Sequence, residues 1–238
     1  IVLEITQDRW LEKTTCQSLG IKTANTLNIE NISDIEDASN LNFPGILKTR
    51  RLGYDGHGQV KINSKNELVS TWNNFKNVPC VYEEFVSFIC ELSVIAGRNK
   101  VGTVSMLPIV ENQHENGILR KTFYPSNTVA GLSTEEQKLV LQKVQKVATD
   151  LITKLDVVGL LTIEMFLTKD LDIIVNEMAP RPHNSGHFSM DACDIDQYEL
   201  YIRATCNLPM ITPKAYANAE MTNILGDEKV CTAVLSYI

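Results

Sequence analysis

Apolar positions follow two rhythms along the chain. Between residues 133 and 155 they recur every three or four positions, at Leu139, Val140, Val144, Val147, Leu151 and Leu155. That period predicts a long helix, and Ser133-Thr-Glu-Glu136 supplies the capping box that opens it. A shorter stripe of Leu68, Trp72 and Phe75 predicts a helix within 64–77 that faces a core. Further helices are expected over Gln7–Leu19, closed by Gly20, over the acidic Asn31–Ala38, and from Met190 to Cys206. In the last of these, Ala192, Tyr198, Leu200, Tyr201 and Ala204 are the packing positions. Elsewhere the apolar runs are short and β-rich. They predict strands at 1–5, Gly45–Thr49, Cys80–Val86, Glu91–Ala96, Val101–Glu111 and Leu119–Tyr124, then Leu160–Leu167 and Leu171–Met178. Helices and strands intermingle without a regular βαβ alternation, which predicts an α+β fold with helices against antiparallel sheets. No internal repeat or low-complexity tract interrupts it.

The pair Leu160–Leu167 and Leu171–Met178 flanks the polar break Thr168-Lys169-Asp170 and reads as a hairpin. Each strand carries one carboxylate in an apolar setting, Glu164 and Glu177. A register that opposes them puts the turn at Asp170-Leu171, within one residue of that break, and sets Phe166 opposite Val175. Two carboxylates side by side repel unless a cation lies between them, and a hard divalent ion with oxygen ligands suits them. The same geometry also fits two glutamates on a solvated face. Beyond Asn176-Glu177 runs Ala179-Pro-Arg-Pro-His-Asn-Ser-Gly-His187, a segment stiffened by proline and dense in hydrogen-bonding groups. The spacing of His183 and His187 is a weak sign of a metal pair, because imidazole suits softer metals.

A second polar stretch, Gly45-Ile-Leu-Lys-Thr-Arg-Arg-Leu-Gly-Tyr-Asp-Gly-His-Gly-Gln-Val60, reads as strand, glycine-rich turn, strand. Lys48 lies inside the apolar strand and requires an anionic partner, a role a nucleotide phosphate fills. Gly53, Gly56 and Gly58 allow backbone amides to converge on anionic oxygens, although a plain turn has the same pattern and no Walker motif follows. Arg9 and Lys13, four residues apart on the first helix, put two positive charges on one face. His114 falls in the segment PIVENQHENGI, read as a strand end and polar turn, where it is expected to be solvated.

Composition narrows the classes. The 238 residues carry a net charge of −7, and the longest basic run is Arg50-Arg51, which argues against nucleic acid or an anionic membrane as partner. The six cysteines show no CxxC pair, as expected for a reducing cytoplasmic compartment. No apolar run is long enough to cross a bilayer. Ile1 is not expected to be the first residue of the gene product.

Three long stretches, NEMAPRPHNSGHFSMDAC (176–193), LKTRRLGYDGHGQV (47–60) and YEEFVSFICELSVIAGR (82–98), together with QDRWLEK (7–13), resemble the 5-(carboxyamino)imidazole ribonucleotide synthetases. These are ATP-grasp carboxylases of purine biosynthesis, and the likeness runs from Gln7 to Gly226. It implies an ATP-grasp fold in which two α+β subdomains, 20–85 and 86–210, clamp ATP. Residues 1–19 would then link to a preceding Rossmann-like domain, and 211–238 would belong to a carboxyl-terminal domain entered at Met221–Gly226.

The implied reaction joins bicarbonate to 5-aminoimidazole ribonucleotide at the cost of ATP, by way of carboxyphosphate. Mg²⁺, or Mn²⁺ in its place, would sit on Glu164 and Glu177. ATP would be held by Arg9, Lys48, the hinge Glu83-Glu84-Phe85-Val86, Glu91 on the ribose, and Asn176. Tyr54, Asp55, Gly56, His57 and Gln59 would form the loop that closes over the substrates. Arg181, His183, Asn184, Ser185 and His187 would line the acceptor site, with Lys48, Tyr54, Asp55, His57, Gln59, Arg181 and His187 acting in catalysis. Two positions depart from the family pattern. His57 replaces a Lys or Arg, so a fixed charge becomes a titratable one, and Cys90 stands where a polar or basic residue is usual. A homodimer is compatible with this reading. The alternatives are another ATP-grasp ligase acting on a different amine, and an ATP-binding module without turnover.

Overall fold

The computed structural model describes residues 1–39, 41–53 and 57–226. Two antiparallel sheets, each with its own core, carry the chain. The smaller has four strands in the order β1-β4-β2-β3: β1 is Thr26–Ile29, β2 Gly45–Thr49, β3 Gln59–Ile62 and β4 Cys80–Glu84. Helices α3 (Ile32–Glu36) and α4 (Lys65–Asn74) cover one face and close a core of Ile29, Ile35, Leu47, Ile62, Leu68, Trp72 and Tyr82. The side chain of Ser64 caps α4 through the Glu67 amide, and Leu68 and Trp72 are buried as the stripe predicts.

The larger sheet has seven strands: β5 (Cys90–Arg98), β6 (Val104–Met106), β7 (Val110–Glu115), β8 (Ile118–Tyr124), β9 (Gly159–Leu167), β10 (Ile173–Ala179) and β11 (Ala219–Thr222). Their order is β10-β9-β5-β7-β8-β11, with β6 on β5. Between β8 and β9 run the short α5 (Asn127–Ala130) and the long α6 (Thr134–Lys154), and after β10 come α7 (Ser189–Ala192) and α8 (Gln197–Thr205). Helix α6 lays Val140, Val144, Ala148, Leu151 and Ile152 on one face of the sheet, while Leu200 of α8 meets Ile95 and Leu160 on the other. Covered on both faces, β9 reads as a nearly unbroken apolar run rather than an alternating one.

Two helices precede the sheets. In α2 (Arg9–Ser18) the Asp8 side chain caps the first turn, and Gly20 takes a left-handed φ of 72° just past its end. The expected strand at 1–5 is instead helix α1 (Val2–Thr6). An apolar run that short does not distinguish the two by period, and Thr6 Oγ1 closes the turn onto the Val2 carbonyl.

Three further expectations change. Val101–Glu111 is not one strand, because Pro108 lies between β6 and β7 and cannot donate to a ladder. The helix over Met190–Cys206 is two helices: Cys193 turns to an extended conformation paired with Ala215, and Asp196 caps a new start through the Tyr198 and Glu199 amides. Tyr198 and Tyr201 consequently face solvent. In α6, Leu139 is exposed and Ala148 and Ile152 complete the buried stripe. Strand β1 has no counterpart in the sequence reading. Among the described residues no helix is long and apolar enough to cross a membrane.

Gly45 shows how tightly the smaller sheet is built. A Cβ there would lie 2.2 Å from the Tyr82 ring and 2.6 Å from the Glu83 carbonyl oxygen. The backbone atom cannot move aside without breaking the β2–β4 ladder. Gly45→Ala should therefore destabilise the protein by about 1–3 kcal/mol, read as a lower denaturant midpoint; an unchanged midpoint would show that the two strands are not in this close register.

Candidate active site

The β9–β10 hairpin brings Glu164 and Glu177 face to face. The reason differs from simple register counting. Val175 pairs with Met165 and Ile174 with Phe166, then a bulge at Asn176 shifts the ladder by one residue, so Glu177 meets Glu164. The expected Phe166–Val175 pairing is therefore wrong, while the carboxylate pairing holds.

Glu164 lies on the floor of the cleft, and its Oε1 is buried without a hydrogen-bond partner. Burial pushes its pKa up to about 7, helped by the negative charges of Glu177 and Glu91 and opposed by His114 and Arg181. An orphaned, partly protonated carboxyl beside a second carboxyl is a poor fit for protein partners and a good fit for a hard divalent cation, which would displace the proton. Among the described residues no group of three or more His, Cys, Asp or Glu is arranged to hold a metal ion. The pair alone thus leaves most of a cation's coordination sphere to water and a ligand.

His114 is not solvated in a turn. It lies on β7, with Nδ1 2.6 Å from Glu91 Oε2 and Nε2 3.8 Å from Glu164 Oε1. Burial works against its charge, but Glu91, Glu164 and Glu177 outweigh that and raise its pKa. Its position within PIVENQHENGI was no signal, because that segment reads equally well as a turn. Opposite it, His183 Nε2 is 3.9 Å from the same Glu164 oxygen. Burial first, then Arg181, His114 and His187, push the His183 pKa down to about 4, so it is neutral near pH 7. Its Nδ1 accepts from the Ser185 amide, which places the ring proton on Nε2, toward Glu164.

The proline-rich segment divides into working and supporting groups. Arg181 and Asn184 are exposed, the Arg181 guanidinium resting on the Pro182 carbonyl. Ser185, expected at the substrate, is buried and bonded to His183, so its side chain shapes the loop. The buried Gln197, which no sequence signal marks, holds the segment together. Its Oε1 accepts from the His183 amide, and its Nε2 donates to the His183 carbonyl and to His187 Nδ1. The His187 ring also stacks on Tyr198.

The opposite wall is cationic. Lys48 Nζ on β2 lies 2.9 Å from Glu83 Oε2, and Lys13 Nζ on α2 lies 3.7 Å from the same oxygen. Burial would raise the Glu83 pKa, but the two ammonium groups bring it down to about 2. The partner that Lys48 requires is thus supplied within the chain. One carboxylate between two lysines leaves positive charge over. Glu83 accordingly serves the lysines, and Glu84 is held by Asn25 and Asn42. The hinge beyond them leaves Phe85, Val86 and Ser87 lining a cavity of about 350 Å³ with Asn25 and Ile174. Gln59 sits opposite Lys48 on β3. Tyr54, Asp55 and Gly56 lie outside the described residues, and His57 follows them with its carbonyl turned toward Gly53.

Helix α2 closes the site. Arg9 Nη2 is 3.8 Å from Glu177 Oε2, and Nη1 donates to the Thr49 carbonyl. A Cβ on Gly53 would fall 2.9 Å from Arg9 Nη1, so any larger residue there would displace the guanidinium. Asp8, which sequence reasoning passed over, accepts from Arg50 Nε and Nη2 and from Arg51 Nε. Burial opposes its charge, and those two guanidiniums still hold its pKa below the usual value. Burial pushes the Glu12 carboxyl up to about 8. Arg9, Glu12, Arg51, Gly53 and Glu177 line a cleft of about 420 Å³. A roomier cavity of about 710 Å³ between β6 and α6 has no carboxylate, imidazole or basic group in its lining, so the chemistry belongs to the smaller one.

Residues 14–198 match the ATP-grasp domain family. The chain is 39% identical over 228 residues to the N5-carboxyaminoimidazole ribonucleotide synthase of Bacillus subtilis, covering 95% of this chain and 58% of that protein. It superposes on a crystal structure of an N5-carboxyaminoimidazole ribonucleotide synthetase in complex with ADP, with a TM-score of 0.89 and 36% identity, over 99% of this chain and 60% of that one. The N5-carboxyaminoimidazole synthase of Aspergillus clavatus, crystallised with ADP and 5-aminoimidazole ribonucleotide, matches with a TM-score of 0.85 and 25% identity, over 98% and 61%. The chain therefore spans about three fifths of the length of the relatives it matches.

The charge state of Glu164 gives a test that needs no substrate. A carboxyl with a raised folded pKa stabilises the fold at low pH, and that contribution is lost as pH rises from its ordinary value of 4.5 through about 7. Glu164 should contribute to the melting temperature without metal a fall across this window equivalent to up to ~3 kcal/mol. Glu164→Gln should remove that contribution, leaving the net of Glu12 and His114, which have the same sign, and of His183, which has the opposite one. Identical slopes for the two proteins would show that Glu164 is not held in this environment.

Proposed function

Because the chain belongs to the ATP-grasp family, we propose that it is the ATP-binding part of an enzyme that carboxylates 5-aminoimidazole ribonucleotide with bicarbonate. The observation that carries the reading is the opposition of two walls: Glu164 paired with Glu177 on the large sheet, and Arg9, Lys13 and Lys48 across from them. The division into subdomains over 20–85 and 86–210, with ATP between them, belongs to this proposal. So do Mg²⁺ on the glutamate pair and a cytoplasmic location.

In this reading the hinge at Phe85 and Val86 presents backbone groups to the adenine, and Glu91 takes the ribose. His114, between Glu91 and Glu164, is placed along the phosphates. Lys48 and Arg9 neutralise the charge that builds on the γ-phosphoryl group as it passes to a bicarbonate oxygen. Mg²⁺ on Glu164 and Glu177 would add Lewis-acid stabilisation of the same oxygens.

Bicarbonate is a poor electrophile, and its phosphorylation gives carboxyphosphate, whose carbon carries a phosphate leaving group. The exocyclic amine of the ribonucleotide attacks that carbon, phosphate leaves with the C–O bond electrons, and the amine loses a proton. Carboxyphosphate decomposes quickly in water, so the site must be closed while it exists. The loop that follows Leu52 would close it, as the resemblance implies. Arg181, exposed at the rim, suits the phosphate of the ribonucleotide.

The test is phosphate release by the full gene product, with each substrate left out in turn. Release should require ATP and be stimulated by bicarbonate and the aminoimidazole ribonucleotide together. Arg181→Ala should raise KM for the ribonucleotide about tenfold or more with a smaller change in kcat, and Glu177→Gln should lower kcat by two or more orders of magnitude. Release indifferent to both bicarbonate and the ribonucleotide would overturn the assignment. Stimulation by another amine would move it to a different ligase of the family.

A further inference from the structure

Strand β10 is the edge of the large sheet, so every second backbone amide and carbonyl points away from β9 and needs another partner. At Val175 the partner is the chain itself: the Val175 amide donates to the Lys22 carbonyl, and Thr23 bridges Val175 in parallel. Past Val175, among the described residues, no strand continues along that edge. Two polar side chains of α2 take over. Lys13 Nζ donates to the Asn176 carbonyl oxygen, and the Met178 amide donates to Glu12 Oε1 at 2.5 Å. Both side chains are almost wholly buried, at 1% and 2% exposure.

These two contacts select a register. In a regular strand starting from Val175, outward-pointing groups belong to residues 175, 177 and 179. The bulge at Asn176 changes that parity, so the Asn176 carbonyl and the Met178 amide point outward, and Glu12 and Lys13 receive both. Without the bulge, Glu164 would oppose Asn176, and the Glu177 side chain would turn to the other face of the sheet. We propose that Glu12 and Lys13 are positioning residues that grip the peptide groups on either side of Glu177 and hold the bulged register in which it faces Glu164. The proposal rests on the reading of Glu164 and Glu177 as the cation pair. Neither residue touches the substrate in this account; each acts through the backbone of β10. Lys13 also reaches Glu83 on the smaller sheet, so the same grip ties the bulge to the wall that carries Lys48.

The test measures Mn²⁺ affinity in the presence of ADP by electron paramagnetic resonance, without turnover, on the full gene product. Alongside it run ADP affinity without metal, melting temperature, and hydrogen exchange at the Met178 amide. Glu12→Leu and Lys13→Met should each weaken Mn²⁺ binding about 10–100-fold, the range for groups that orient metal ligands. In Glu12→Leu, ADP affinity without metal should change less than about threefold, and the Met178 amide should exchange faster. Glu12→Gln keeps an acceptor for that amide and should restore most of the Mn²⁺ affinity. A merely structural role would lower the melting temperature in all three variants and leave the ratio of Mn²⁺ to ADP affinity unchanged. If Lys13→Met does not fold, the contrast of Glu12→Leu with Glu12→Gln decides alone. Glu177→Gln is the control for the underlying reading. If it leaves Mn²⁺ affinity unchanged, the cation site itself is wrong. If it abolishes binding while Glu12→Leu binds as the wild type does, the grip is wrong and the cation site stands. Equal losses in Glu12→Leu and Glu12→Gln would overturn the hydrogen-bond basis of the proposal.

Discussion

Buried charge has to be balanced at short range, and helix α2 is where this chain does it. A carboxylate or ammonium taken out of water is costly unless its partners are close and well placed. Four positions of α2 and its cap, Asp8, Arg9, Glu12 and Lys13, meet four different demands. Asp8 neutralises Arg50 and Arg51 at the root of the glycine-rich turn, and Arg9 faces Glu177. Glu12 receives the Met178 amide, and Lys13 lies between Glu83 and the Asn176 carbonyl. The helix is thus a hub between the two sheets. Removing one of its charges leaves an unpaired group on a neighbouring wall, which is why α2 is expected to be less tolerant of substitution than its length suggests.

The local parts of this arrangement are legible in the sequence. The long helix shows through its period and its Ser133–Glu136 box, the hairpin through its polar break, and the turn between β2 and β3 through its glycines. The facing of Glu164 and Glu177 is legible because a hairpin fixes which residues oppose one another to within a residue. What was not legible depends on contacts between distant segments. Glu12 meets Met178 across 166 positions and Glu83 meets Lys48 across 35. The bulge at Asn176 has no residue signature of its own, since it is imposed by groups on α2. His114 reads as a turn residue because its carboxylate partners stand on other strands. Gln197 reads as an ordinary first-turn residue, and only the folded loop shows three hydrogen bonds of its side chain meeting the segment 183–187.

The two walls of the cleft differ in sign, and that difference restricts what can fill it. On one side Lys13 and Lys48 share a single carboxylate and Arg9 stands nearby, so positive charge is in excess. On the other, His114 relieves Glu91 and Glu164, Arg9 reaches only Glu177, and one Glu164 oxygen has no hydrogen-bond partner. A free anion would satisfy the first wall and be repelled by the second. A free divalent cation would do the reverse, with only two carboxylates to hold it. A polyphosphate carrying a hard cation presents negative oxygens to Lys48 and Arg9 and positive charge to the glutamates at once, and completes the cation's coordination with its own oxygens. The strength with which either part binds then depends on the other, because each relieves the repulsion that the other would meet alone. That mutual requirement follows from the sheet register as much as from the residues. It exists only while the bulge in β10 keeps Glu177 opposite Glu164, on the face of the sheet that looks across at Lys48.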